Sequence, residues 1–370
     1  MKRDLLGLSR EELATFARSL GESTYRGGQL FQWLYAKGAV DFASMTDLGK
    51  AVRKRLEEEA TIDRPAVVAR QESPADGTTK FVFGLPRGGT IESVLIPPAS
   101  AFVGNEAAAE EEQQRLTLCV STQVGCPLDC AFCATGTMGF TRNLTSGEIV
   151  GQFLEARRLT RRRITNVVFM GMGEPLLNYG PVMQAAEIFT AGMGVAARRV
   201  TVSTAGWVDG IRRMGDEQRK MKLAVSLHSA VDETRSALMP INRRYDLDAL
   251  LRAVADYYAR TRLRVTYEFI FFDGVNDSET EVRRLIAFAR KVPSKINVIP
   301  FHPIAFAGPR PAGAGLSASR RQSEIVDRLR HAHLTVMVRS SAGEDITAAC
   351  GQLVGQEARS RRRTKERVPW

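Results

Sequence analysis

Three cysteines lie within eight residues of this 370-residue chain, in the run VGCPLDCAFCATG. Cys126, Cys130 and Cys133 follow the spacing C-x3-C-x2-C. A closed structural zinc site needs four ligands, usually from two paired knuckles, and the sequence has no second CxxC pair. Cys119 is the available fourth ligand for such a site, although it lies seven residues ahead of Cys126 in a predicted strand. Structural zinc is therefore the weaker alternative.

Cubane iron–sulfur clusters are also bound by thiolates, usually by four cysteines. Three cysteines leave one iron without a protein ligand, so an outside molecule can coordinate it. The spacing, with Phe132 before the last cysteine, resembles the signature of radical S-adenosylmethionine (SAM) enzymes. The resemblance implies a [4Fe-4S] cluster on Cys126, Cys130 and Cys133. It also implies that SAM fills the open iron position and is cleaved there to a 5′-deoxyadenosyl radical.

A glycine-rich turn, GMGEP, follows the apolar run NVVFM. Glycines at the end of a strand let the backbone approach a ligand, and a carboxylate there can accept a hydrogen bond from an ammonium group. A tight turn with a chance glutamate is the commoner case for such a motif alone. The resemblance assigns Gly173 and Glu174 to the methionine amino group of SAM.

Polar residues also end two further predicted strands, VTVST and KLAVSLH. A barrel presents its ligand groups at the carboxyl ends of its strands. A hydroxyl there caps the next helix more often than it binds a ligand, and a lone histidine is usually structural. The resemblance carries the following residues to the SAM site: Ser203, Ser226, Leu227 and His228.

The two remaining cysteines, Cys119 and Cys350, indicate which family within the radical SAM enzymes the chain resembles. A lone cysteine is usually a small buried thiol. The runs GEDITAACGQL and CVSTQVGCPLDCAFCATGTMGF resemble the RlmN/Cfr family of radical-SAM RNA methyltransferases over nearly the whole chain. The resemblance is closer to the RlmN branch, which methylates C2 of an adenine in 23S rRNA and in tRNA. The C8-methylating branch uses the same cysteines and remains the alternative.

The resemblance implies a stepwise reaction that consumes two SAM molecules per turnover. One SAM methylates Cys350, and the second yields the radical that takes a hydrogen from that methyl group. The methylene radical adds to the adenine, and attack by Cys119 on the Cys350 sulfur releases the RNA and leaves a disulfide. Glu92, in GTIESVLIP, matches the proposed proton acceptor, although a surface strand carboxylate is the simpler reading of that position.

The chain departs from the family pattern at two places. His302, in PFHP, stands where an asparagine commonly contacts SAM, and it can still make one hydrogen bond. Ser341-Ala342 stand where an arginine is common, which bears on RNA contact rather than on the chemistry.

The elements that must position these residues fall into four predicted segments. Residues 1–62 form a helical RNA-binding domain whose first helix is capped by Ser9 and Glu12, with further helices after Gly27-Gly28 and from near Thr46-Asp47. Residues 63–114 form a β-hairpin linker that carries Glu92 and ends in the acidic run NEAAAEEEQQ, an exposed loop or short helix. Residues 115–355 alternate strand and helix, which predicts an α/β fold with a radical-SAM partial (β/α)6 barrel. Residues 356–370 form a basic tail without apolar periodicity, expected to be disordered.

Composition points to an anionic partner. The net charge is +11, and arginine patches recur along the chain. Such patches are typical of proteins that bind RNA, here 23S rRNA and tRNA, although a solvated basic surface is the alternative. No apolar run approaches the roughly 18 residues of a membrane span, and the start of the chain lacks the apolar core of a signal peptide. We therefore expect a cytoplasmic protein that does not bind membranes. The family resemblance implies a monomer that needs a cellular electron donor.

Overall fold

The computed structural model describes residues 2–98, 115–303, 315–339 and 342–354. The acidic run 105–114, Ser341 and the predicted basic tail 356–370 lie outside the described residues. Within the described part, no helix is both long enough and apolar enough to cross a lipid bilayer.

The N-terminal unit contains three helices, as predicted, but two of them begin elsewhere. Helix α1 (Arg10–Ser19) starts at the predicted capping box of Ser9 and Glu12. Helix α2 (Tyr25–Phe31) begins before the glycine pair and continues as a π-helical turn. Gly27 lies inside α2 because a Cβ there would come within 2.4 Å of the Ala14 backbone nitrogen, so glycine permits close packing on α1. Helix α3 starts only at Lys50 and runs to Glu59.

Polar contacts fix this unit against the rest of the molecule. Strands β1 (Arg3–Asp4) and β2 (Ala60–Thr61) pair in parallel and close the unit. Arg64 Nη1 lies 3.0 Å from a carboxylate oxygen of Glu155. Arg157 Nη2 donates to the Tyr35 carbonyl oxygen at 3.0 Å. Both contacts reach the helix Ser146–Thr160, so the unit is held against one element of the main domain.

The predicted hairpin is present and is larger than expected. Strands β4 (Thr79–Gly84) and β5 (Thr90–Ile96) pair antiparallel, with Val82 opposite Glu92. A third strand, β3 (Ala66–Glu72), pairs with β4 and was not predicted. Most of its residues are exposed, as expected of an edge strand with little apolar alternation. Strand β5 also pairs with the first strand of the main domain, so the hairpin extends the main sheet.

Seven parallel strands form most of the main sheet, and the predicted strands NVVFM, VTVST and KLAVSLH are among them. The seven strands are β6 (Thr117–Cys119), β9 (Asn166–Phe169), β10 (Val200–Thr204), β11 (Lys222–Ser226), β12 (Val265–Phe269), β13 (Ser294–Val298) and β14 (Val336–Val338). The sheet order is β14-β13-β12-β11-β10-β9-β6-β5-β4-β3, with the hairpin strands last. A separate antiparallel pair, β7 (Gln123–Gly125) and β8 (Phe140–Asn143), encloses the cysteine run. The α/β class is therefore confirmed.

Helices connect successive parallel strands. They span Ser146–Thr160, Tyr179–Ala191, Val208–Asp216, Asp232–Leu238, Leu247–Thr261, Glu279–Ala289 and Gln322–His331. Their buried side chains pack on the sheet, and the rings of Phe153 and Phe189 lie 5.4 Å apart between two of them. Because every crossover returns to a parallel strand, the carboxyl ends of the strands meet at one edge of the sheet. That edge holds most of the residues singled out from the sequence.

Candidate active site

A cavity of about 150 Å³ lies at the carboxyl ends of the parallel strands. Its wall includes most of the predicted site residues: Cys126, Cys130, Cys133, Gly173, Glu174, Ser203, Ser226, His228 and Cys350. Residues that are far apart in sequence thus meet in a single chamber.

The cysteine loop is held by the β7–β8 pair. Gly125 ends β7 with a φ of +75°, and a Cβ at this position would come within 1.9 Å of the Gly139 carbonyl oxygen. The Cys126 backbone N–H donates to that same carbonyl. Burial raises the pKa of the Cys126 and Cys130 thiols, and neighbouring thiolates raise it further. Thiolates packed this way need a cationic partner.

The geometry of the three thiols bears on which metal group fits. Among the described residues, no group of three Cys, His, Asp or Glu side chains is arranged to hold a metal ion. The three thiols nevertheless line one cavity. A cubane cluster binds its cysteines through separate iron atoms, so its ligands do not converge on one point. Three thiols in one cavity are the donor set of a [4Fe-4S] cluster with one open iron, and they are one short of the four ligands of a closed zinc site.

The glycine-rich turn after β9 forms an adjoining wall. Gly173 has a φ of +98°, and a Cβ there would lie 2.6 Å from the Gln123 side chain. Glu174 is buried, and its two carboxylate oxygens accept from the backbone N–H groups of Leu176 at 3.0 Å and Ala205 at 2.8 Å. Burial raises the pKa of Glu174 to about 7, although these hydrogen bonds oppose the shift. The carboxylate is thus fixed in orientation and poised to ionise near neutral pH.

His228 lies where β11 ends, with a φ of +54°. Its Nδ1 accepts from the Ile270 backbone N–H at 3.1 Å, and burial lowers its pKa to about 3. The ring is therefore neutral at physiological pH, with its hydrogen on Nε2. The Phe132 ring packs edge-on against it at 4.5 Å. The histidine therefore offers a hydrogen-bond donor beside the cysteine loop.

Arg235 was not singled out from the sequence. Its buried guanidinium donates to the carbonyl oxygens of Ala205, Ser226 and Leu227 at 2.6 to 3.2 Å. Burial lowers its pKa to about 10, so it stays charged at neutral pH. Its charge also lowers the pKa of Cys130. Arg235 therefore links the ends of β10 and β11 and supplies positive charge to the cysteine loop.

Cys350 and Cys119 lie on either side of a second missed arginine. Arg339, just after β14, places Nη1 3.7 Å from the Cys350 sulfur and 3.8 Å from the Met170 sulfur. Desolvation raises the pKa of the Cys350 thiol although the residue is exposed, and Arg339 opposes that shift. Burial raises the pKa of Cys119 to about 12; the Cys350 thiolate raises it further, and Arg339 lowers it. Both thiols are free and share one cation.

Four predicted site residues lie outside the cavity wall: Cys119, Leu227, Glu92 and His302. Leu227 is fully buried in the core. Glu92 is also buried, and its Oε2 accepts from the Val354 backbone N–H at 3.1 Å, four residues beyond Cys350. His302 places Nδ1 3.0 Å from Glu344, while its buried Nε2 has no hydrogen-bond partner among the described residues. The orphaned nitrogen of His302 is suited to a ligand atom.

Comparisons with known proteins agree with this geometry. The model of the "Ribosomal RNA large subunit methyltransferase N-terminal domain" matches residues 3–62, and that of the radical SAM superfamily matches residues 120–286. The chain is 45% identical to the dual-specificity RNA methyltransferase RlmN of Halorhodospira halophila, covering 99% of this chain and 97% of the relative. It is 43% identical to the protein of the same name from Rhodospirillum rubrum, covering 97% and 82%.

A solved structure is similar over almost the same length. The crystal structure of a radical SAM methyltransferase from Sphaerobacter thermophilus has a TM-score of 0.84 and 39% sequence identity. The match covers 95% of this chain and 99% of that one. The predicted family resemblance is thereby confirmed at the level of sequence and of fold.

Proposed function

The chain belongs to the RlmN family of radical SAM RNA methyltransferases, and on that premise we propose that it methylates C2 of an adenine in 23S rRNA and in tRNA. The observation that carries the proposal is the position of Cys350. Its thiol lines the same cavity as the three cluster cysteines and shares Arg339 with the buried Cys119. A site that only transferred electrons would not need this second pair of thiols.

The target atom explains why two thiols are required. Adenine C2 lies between two ring nitrogens and is electron-poor, so it does not attack an ordinary methyl donor. A carbon carried by the enzyme has to be attached to C2 by another route. In this proposal Cys350 carries that carbon as an S-methyl group. When bound, the [4Fe-4S] cluster and SAM supply the one-electron chemistry that activates the methyl group.

Residues in the cavity wall, and His302 outside it, have separable roles in holding SAM. Glu174 accepts from the methionine ammonium, and the positive φ of Gly173 lets the backbone approach the ligand. His228, neutral and with its hydrogen on Nε2, donates to a SAM oxygen or nitrogen. Ser203 and Ser226 offer hydroxyl groups from the ends of β10 and β11. His302 contacts SAM through its orphaned Nε2, at the position where an asparagine commonly makes that contact.

The last steps belong to Cys119 and Glu92. A covalent link between the Cys350 methylene and adenine C2 has to be broken to release the RNA. Attack by the Cys119 thiolate on the Cys350 sulfur breaks that carbon–sulfur bond and forms a disulfide, which external thiols reduce. The electron pair of the broken bond stays on the carbon, which takes up a proton and leaves with the RNA as the methyl group. Glu92 is the proposed acceptor of the C2 proton, and its hydrogen bond to Val354 keeps the carboxylate near the segment that carries Cys350.

The remaining parts of the proposal concern partners. The N-terminal unit, residues 1–62, binds the RNA, while the barrel contains the catalytic thiols. Two SAM molecules are consumed in each turnover, and an external reductant supplies the electron. The enzyme acts as a monomer.

Nucleoside mass spectrometry tests the proposal. Reconstituted protein, SAM and a reductant are incubated anaerobically with a 23S rRNA fragment or with tRNA, and the RNA is digested. We expect 2-methyladenosine from both RNAs and none from the Cys350→Ala variant. Formation of 8-methyladenosine would favour the C8-methylating alternative, and no methylated adenosine from either RNA would refute the proposal.

A further inference from the structure

Positive charge gathers at the edge of the sheet opposite the cavity. The residues that lead into the parallel strands are basic at β6, β9, β10, β11, β12 and β13. They are Arg115, Arg161, Arg162, Arg163, Arg198, Arg199, Arg219, Lys220, Lys222, Arg262, Arg264, Lys291 and Lys295. We call these residues the basic edge. Because the strands are parallel, all of them lie at the amino ends, away from the catalytic thiols.

The described segments of the basic edge carry little negative charge. The described segments between a helix and the next strand are 161–165, 192–199, 217–221, 262–264, 290–293 and 332–335. They contain a single acidic residue, Glu217, which is held by Arg213 at 2.8 Å and Arg219 at 2.7 Å. The described linking segments therefore carry a net positive charge that they do not themselves neutralise.

The cations also lie close enough to repel one another. The pKa of Lys222 is lowered by partial burial and then by Lys295, Arg115, Arg198 and Arg199. The pKa of Lys295 is lowered by partial burial and by Arg115 and Arg264, while Glu268 opposes the shift. Residues from five strands thus share one surface. Repulsion of this kind is relieved when an anion binds.

One part of the basic edge is concave and adjoins the N-terminal unit. Arg157, Arg161, Arg162 and Arg163 line a pocket together with Ile164 and Met193. Arg157 also donates to the Tyr35 carbonyl oxygen of the N-terminal unit. A chain of phosphates bound along the basic edge would therefore continue onto the N-terminal unit.

We propose that the basic edge binds the phosphodiester backbone of RNA and forms a second contact with the substrate, on the face opposite the catalytic thiols. The inference rests on the proposed function for the identity of the polyanion. Six strands spaced about 4.8 Å apart extend the edge over about 24 Å, the length of several nucleotides. The linking segments contain no Phe, Trp or Tyr on which bases would stack, so the contact is independent of sequence.

The test compares two variants that lose the same charge. Arg162→Gln/Arg198→Gln removes two exposed cations of the basic edge, whose side chains make no hydrogen bond in the described structure. Arg283→Gln/Arg284→Gln removes two exposed cations from the helix Glu279–Ala289 and serves as the control. Binding of a long RNA without a target adenine and of a short stem-loop is measured by fluorescence anisotropy over a range of salt concentrations.

Each phosphate contact adds about 0.7 to the magnitude of the salt slope for a single strand. The loss of two contacts therefore raises Kd about 25-fold near 0.1 M salt. We therefore expect the Arg162→Gln/Arg198→Gln variant to bind the long RNA about 25-fold more weakly, with a salt slope smaller by about 1.4. Its affinity for the stem-loop should match that of the control. Equal affinities and slopes of the two variants for the long RNA would overturn the inference. That result would exclude RNA as the partner of the basic edge and favour an acidic protein. Because the long RNA cannot be methylated, this result is separate from failure of the methylation assay.

Discussion

The buried carboxylate of Glu174 allows a quantitative prediction about SAM binding. Burial raises its pKa to about 7 from the ordinary 4.5, and both of its oxygens are fixed by backbone N–H groups. Only the ionised form accepts from the methionine ammonium as a charged partner. SAM affinity should therefore rise as the pH rises toward 7 and fall as Glu174 becomes protonated. The Glu174→Gln variant removes the ionisation and keeps the shape of the side chain.

The size of the effect follows from the pKa. A charge-assisted hydrogen bond contributes about 2 kcal/mol, or about thirtyfold in Kd when Glu174 is fully ionised. About half of the wild-type protein is ionised near pH 7 and about 3% near pH 5.5. The Kd of Glu174→Gln should thus exceed that of the wild type by about 15-fold near pH 7, but by only about twofold near pH 5.5. The methionine ammonium stays mostly protonated over this range.

Equilibrium binding of SAM to the two reconstituted proteins checks this prediction. The ratio of the two Kd values cancels any titration of SAM or of the cluster that both proteins share. Glutamine also cannot accept from both Leu176 and Ala205, which weakens binding by a constant factor at every pH. A ratio that stays the same between pH 5.5 and pH 7 would therefore refute the assigned role of ionised Glu174.

Three further predictions concern neighbouring residues. Because the raised pKa of Glu174 makes the native state bind a proton more tightly than the unfolded state, stability is highest below about pH 4.5 and is lost as the pH rises through about 7. Denaturant unfolding should thus show that the free energy of unfolding of Glu174→Gln rises relative to that of the wild type, by up to about 3 kcal/mol, as the pH increases from about 4.5 through about 7. A difference that does not depend on pH would contradict this. Arg339→Gln should raise the pKa of Cys350 further and slow its alkylation near pH 8, whereas Arg339→Lys should preserve the rate; equal rates in all three proteins would remove Arg339 from the thiol site. Gly173→Ala should lower the free energy of unfolding by about 2 kcal/mol because of its positive φ and its contact with Gln123, while Gly180→Ala, which meets open space, should not; a similar effect of the two substitutions would show that the turn is not constrained.

The parts of the site that the sequence predicted are those with short-range signals. The three cluster cysteines are spaced along one loop, and Gly173 and Glu174 share one turn, so their pattern is visible without a structure. The strand ends at Ser203, Ser226 and His228 follow from apolar runs that the fold confirms.

The residues that were missed depend on long-range packing. Arg339 meets Met170 and Cys350 only after β14 has joined the sheet, and its sequence context marks it as an ordinary residue after a strand. Arg235 reads as one more surface arginine of an arginine-rich chain until its carbonyl partners are known. A signal was available for Arg339 alone, since it ends a predicted strand at the edge where ligand groups collect.

Some predicted helix and strand boundaries were wrong for local physical reasons. Glycines usually interrupt helices, yet Gly27 is required inside α2 by its contact with Ala14. Strand β3 was missed because its exposed edge position leaves no apolar alternation to detect. The order of the parallel strands in the sheet, by contrast, is the order in which strands and helices alternate along the chain.

The central claim is that Cys350 forms a covalent link to the RNA and that Cys119 breaks it. The most direct measurement is mass spectrometry of the Cys119→Ala variant after anaerobic reaction with SAM, reductant and an RNA substrate. The account predicts a protein–RNA adduct attached through a methylene group at Cys350, and its loss in the Cys119→Ala/Cys350→Ala double variant. Free methylated RNA released by Cys119→Ala at the wild-type rate, with no adduct, would contradict it.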